Sequence, residues 1–105
     1  MKINHNYFLN LAFQLAKKNL GQTGLNPSVG SVVVKNDTVI ASGVTSINGR
    51  PHAEFNALNN IKDASGSTLY TSLEPCVHYG ITPPCTNIII KKKIKNVYYV
   101  FEDQY

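Results

Sequence analysis

His52-Ala53-Glu54, introduced by Gly49-Arg50-Pro51, and Glu74-Pro75-Cys76-Val77-His78-Tyr79-Gly80-Ile81-Thr82-Pro83-Pro84-Cys85 are the two stretches on which this chain turns. Among them His52, Cys76 and Cys85 offer one imidazole and two thiols, ligand types that zinc prefers. Three protein ligands rather than four is the count of a catalytic zinc, which keeps one position open. Glu54, two residues from the imidazole, then stands beside the metal as a proton carrier. Each residue alone has a duller reading. His52 could be a surface histidine, Glu54 a first-turn carboxylate favoured by a helix dipole, and Cys76 and Cys85 small buried hydrophobes. The order in which the four occur favours the metal over those readings. It also favours the metal over a Cys76–Cys85 disulfide, since nothing else in the chain points to an oxidising compartment.

Outward from these stretches the chain alternates helix and strand. Pro51 suits the first turn of a helix carrying His52, Glu54, Ala57, Leu58 and Ile61. Pro84 opens another, with Ile88 and Ile89 turned inward and Lys92 facing in or covering the core with its stem. Cys76 falls just past a strand from Thr68 to Ser72, which is approached through Gly66. Upstream, the valine-rich run from Val29 to Lys35 reads as a buried strand. Asn36-Asp37 reads as a two-residue turn into a second strand, Thr38 to Val44. Phe8, Leu11, Ala12 and Leu15 recur at helical spacing before Gly21, and Val97 to Phe101 is a final apolar strand. The sum is one α/β domain over residues 1–105, a helix and hairpin followed by helix–strand–helix–strand, with helices covering the sheet. His52 and Cys85 then lie near helix N-termini, where the dipole favours the thiolate that a metal needs.

Composition narrows the class. A chain of 105 residues, 43% hydrophobic and 15% charged, has room for one core and is not disordered in character. Its apolar runs fall short of the roughly 18 residues of a membrane span. Met1-Lys2-Ile3-Asn4-His5-Asn6 lacks the apolar core of a secretory signal, so a cytoplasmic protein is expected. The net charge is +4, and Lys91, Lys92, Lys93 and Lys95 read as a solvated helix end. Nucleic acid is disfavoured as a partner, because no aromatic residues interleave with those lysines. His5 stands outside any motif and is expected at the surface.

The order His-x-Glu … Pro-Cys … Cys is that of the zinc-dependent deaminases. Eight residues separate Cys76 from Cys85, against the two usual in nucleoside and base-editing members. With His78-Tyr79-Gly80 and Thr82-Pro83-Pro84 inside that loop, the chain resembles the pyrimidine deaminase of riboflavin biosynthesis. Gly21, Asn26-Pro27, Val29-Gly30, Val32 to Val34, Thr68-Leu69-Tyr70 and Leu73-Glu74-Pro75 extend the likeness from Tyr7 to Phe101. The resemblance implies the cytidine-deaminase-like fold, a three-layer α/β/α sandwich with a mixed sheet. It implies a Zn2+ cofactor on His52, Cys76 and Cys85, with Glu54 as the acid and base. It further implies a small-molecule substrate, a pyrimidine ribose phosphate, contacted by Asn26, Thr45, Ala53 and His78, and a homo-oligomer. The Asn26 amide can both donate and accept, although Asn-Pro also reads as a turn former. His78 is read as a loop-ordering or substrate-side residue.

The chain departs from that pattern in places. Thr45 stands where the family often has a histidine, and Ile81 where it often has a cation able to meet a phosphate. The sequence ends at Glu102-Asp103-Gln104-Tyr105, short of the family's further helix, strand and reductase. The expectation is therefore a stand-alone or split deaminase, or a fragment, with its last strand an open edge unless covered. A separate reductase is a candidate partner. Two other readings stay open: deamination of another base, nucleoside or nucleotide, and a non-catalytic zinc domain that binds a partner.

Overall fold

The computed structural model describes residues 4–73, 75 and 84–101. Helix α1 (His5–Ala16) starts where the Asn4 side chain accepts a hydrogen bond from the Tyr7 amide, 3.1 Å away. That bond satisfies one of the donors a helix start leaves open. Strands β1 (Gly30–Lys35) and β2 (Thr38–Val44) form the expected antiparallel hairpin. Asn36 and Asp37 turn it with φ of 51° and 61°, the left-handed pair whose twist matches that of the strands. Helix α2 (Ala53–Leu58), strand β3 (Thr68–Leu73), helix α3 (Cys85–Lys91) and strand β4 (Asn96–Phe101) complete the order.

The sheet runs β2-β1-β3-β4, with β1 antiparallel to both its neighbours and β3 parallel to β4. A parallel pair needs a crossover, and α3 lies within it. The valine run is apolar at successive positions because β1 is covered on both faces. Val32 and Val34 join Phe8, Ala12 and Tyr70 under α1, while Val33 joins Ala57, Leu58, Leu69 and Ile89 under α2 and α3. The result is the expected α/β/α sandwich on a mixed sheet. Its strands β2 and β4 are the edges among the described residues.

Two glycines let the helices come this close. A Cβ on Gly43 of β2 would stand 2.5 Å from Ala53 O and from Ala57 N, so α2 rests directly on that strand. On the other face, a Cβ on Gly30 would collide with the backbone of α1 at Ala12 and Ala16.

Three expectations need correction. Helix α2 begins after Pro51 and His52 and ends at Leu58, so Ile61 lies beyond it, although Ile61 still packs against the same core. His5 is not a free surface residue. Its Nδ1 is 2.6 Å from the Tyr70 hydroxyl, and its ring stacks on Tyr98 with centroids 4.2 Å apart. Lys92 is only partly a solvated helix end, because its Nζ donates to Ile61 O at 2.5 Å. Among the described residues, no helix is long and apolar enough to cross a membrane.

Candidate active site

His52 precedes α2 in extended conformation (φ −72°, ψ 164°), and Cys85 is the first residue of α3. Their side chains meet, with Cys85 Sγ 3.5 Å from His52 Nδ1. Two donors on one tetrahedral zinc, bonded at about 2.3 Å to sulfur and 2.0–2.1 Å to nitrogen, stand about 3.6 Å apart. The observed separation fits a shared metal. Cys76, the third expected ligand, and His78 lie outside the described residues, as does Ile81. Among the described residues no three His, Cys, Asp or Glu side chains gather, so the structure brings together two of the three expected ligands.

Glu54 lies in the first turn of α2 and is 4% exposed. Carboxylates are seldom so buried, and the other described acids, Asp37 and Asp63, are both exposed. Ala53 is fully buried, and its carbonyl packs on Gly43. Asn26 is half-buried, and its Nδ2 donates to Gly49 O at 3.0 Å. Thr23 Oγ1 in turn donates to Asn26 O at 2.6 Å. Asn26 therefore ties its own loop to the segment leading into His52.

Thr45 is held by the fold at its hydroxyl and its carbonyl. It is 1% exposed, and its hydroxyl accepts from Val29 N at 2.9 Å. Its carbonyl accepts from Asn19 Nδ2 at 2.8 Å. The hydroxyl pins the segment entering β1 to the end of β2.

A groove of about 500 Å³ runs between α2 and α3, lined by His52, Phe55, Cys85, Asn87, Ile88 and Lys91 among others. The two candidate ligands His52 and Cys85 line it, whereas Glu54 and Asn26 do not.

The sequence reading missed Asn56. Its Nδ2 donates to Val44 O at 2.8 Å and Ser46 Oγ at 2.9 Å, and lies 3.3 Å from Pro51 O. Its place one helical turn after His52 was the available signal.

Residues 2–101 match the family model of the cytidine and deoxycytidylate deaminase zinc-binding region. The chain belongs to this deaminase family. The chain is 50% identical over 97 residues to riboflavin biosynthesis protein RibD of Aquifex aeolicus, covering 91% of this chain and 27% of that protein. It is 45% identical over 92 residues to the diaminohydroxyphosphoribosylamino-pyrimidine deaminase of Buchnera aphidicola subsp. Schizaphis graminum, covering 87% of this chain and 63% of that one. The diaminohydroxyphosphoribosylaminopyrimidine deaminase/5-amino-6-(5-phosphoribosylamino)uracil reductase of Thermotoga maritima superposes with a TM-score of 0.89 at 44% identity. That match covers 95% of this chain and 30% of the Thermotoga protein. The family and fold read from the motifs are therefore those found.

Proposed function

We propose that this deaminase domain holds one zinc ion through His52, Cys76 and Cys85 and hydrolytically removes an amino group from a diaminopyrimidinone that carries a ribose phosphate. The 3.5 Å approach of Cys85 Sγ to His52 Nδ1, across two helices, carries the reading. When bound, zinc supplies Lewis-acid activation of water at neutral pH. Glu54 takes a proton from the water at its carboxylate and returns it toward the departing amine, so ammonia leaves and the ring carbon keeps the oxygen. Burial of Glu54 suits this task, since a carboxylate screened from bulk water hands its proton to the reacting group. The choice of pyrimidine follows the names of the Buchnera and Thermotoga relatives. The product would pass to a reductase, the second activity named in the Thermotoga protein.

The test is ammonia release from the zinc-loaded chain with the diaminopyrimidinone ribose phosphate, beside free-base and nucleoside substrates and the Glu54→Gln variant. Release confined to the phosphorylated pyrimidine, and cut by about 10²–10⁴-fold in Glu54→Gln, is the expected result. Release from a nucleoside or base alone would replace the substrate. No release from a folded, zinc-bound chain would overturn the catalytic reading.

A further inference from the structure

We propose that Asn56 is the positioning residue that presents His52 to the metal. The inference rests on His52 being a ligand and concerns how its backbone is held. Both carbonyls that flank His52 are engaged by Asn56. The Asn56 amide N–H donates to His52 O at 3.0 Å, the first turn of α2, and its side-chain Nδ2 reaches Pro51 O at 3.3 Å. The same Nδ2 donates to Val44 O at 2.8 Å and Ser46 Oγ at 2.9 Å, at and just beyond the end of β2. An amide nitrogen carries two hydrogens, so the two shorter bonds anchor α2 to the sheet edge and Pro51 O shares one of them. Ser46 N, already in this cluster, donates to Pro51 O at 3.1 Å. One side chain thus joins the end of β2, the segment entering His52 and the helix leaving it.

The chemistry of the position is specific. Three oxygens converge on Nδ2, so the site requires a donor and repels a carboxylate. His52 is the residue before α2, so its backbone lies at the junction between the preceding loop and the helix. Its imidazole must nevertheless hold the 3.5 Å spacing to a thiol on another helix. Outer groups that orient a ligand typically contribute 10–100-fold to metal affinity, and Asn56 does so here through the ligand's backbone.

The experiment is zinc affinity measured by chelator competition on the full chain, with the absorption spectrum of the cobalt-loaded protein as a second readout. Wild type and His52→Ala establish whether His52 is a ligand at all. If His52→Ala binds metal as wild type does, the ligand assignment has failed, and this proposal with it. With that established, Asn56→Ala and Asn56→Ser are expected to weaken zinc by 10–100-fold and to alter the cobalt spectrum. Val34→Ala, a core change under α1, should lower the melting temperature without either effect. Asn56 variants that melt earlier but keep wild-type affinity and spectrum would reduce Asn56 to a structural residue. Failure of both variants to fold would likewise overturn the positioning role, making Asn56 a folding determinant.

Discussion

Glu54 is an expensive residue to keep where it is: a carboxylate at 4% exposure forgoes hydration that water would supply. Glu54→Gln preserves the shape and removes the proton shuttle. Turnover should fall by about 10²–10⁴-fold, the span of general acid–base catalysis, while zinc content measured by metal analysis stays at the wild-type ratio. Equal turnover in the variant would remove Glu54 from the chemistry. Tyr70 poses a different residue-scale question. Burial, then Tyr98 and Asp37, push its hydroxyl above the ordinary value of 10.0. Below pH 10 both folded and unfolded states keep that proton. Above it the unfolded chain loses the proton first, so stability falls as pH rises toward the folded-state value. Urea unfolding from pH 8 to 11 should show a steeper loss for wild type than for Tyr70→Phe, and parallel curves would exclude Tyr70 as the cause. Order and spacing pointed to His52 and Cys85, whose side chains approach to 3.5 Å, and to Glu54, which is buried. The anchoring of Thr45 was not legible, since its hydroxyl is claimed by Val29, 16 residues away, and neither was that of His5, whose partner Tyr70 is 65 residues away.

Most of the elements were readable, because each announces itself over a few neighbours. The valine run, the Asn36-Asp37 turn and the helical spacing of α1 all lie where expected, whereas α2 stops short of Ile61. The strand order was not readable. Nothing in the local pattern says that β3 sits between β1 and β4, since that follows from which apolar faces two layers of helices can cover together. The close approach of helix to sheet was equally hidden, and it yields a prediction. Gly43→Ala places a methyl 2.5 Å from the α2 backbone, while Gly30→Ala does the same kind of harm to α1 on the opposite face. Overpacking of this sort costs about 1–3 kcal/mol, so both variants should melt earlier. Only Gly43→Ala should also weaken zinc and slow turnover, because α2 carries Glu54 and follows His52. A matched loss of zinc affinity in Gly30→Ala would mean that the site senses general stability and not the seat of α2.

At the scale of the whole molecule, the candidate metal site joins two crossovers of the sheet. His52 comes from the connection between β2 and β3, and Cys85 from the connection between β3 and β4, 33 residues later. A metal held by both links α2 to α3, which otherwise meet along a groove lined partly by Phe55 and Ile88. Such a ligand binds the folded chain and not the unfolded one, so it adds stability by mass action. With free zinc at 100 times its dissociation constant the gain is about 2.7 kcal/mol. For a domain near this size each kcal/mol moves the melting temperature by about 4–8 °C, so zinc should raise it by roughly 10–20 °C. Chelation should reverse the gain, and the same chelation should leave Cys85→Ala almost unmoved, because that variant has already lost the link. Calorimetry with and without chelator measures both. An equal chelator effect in wild type and Cys85→Ala would show that the metal is held elsewhere, and a wild type indifferent to chelation would show that the two helices meet without one.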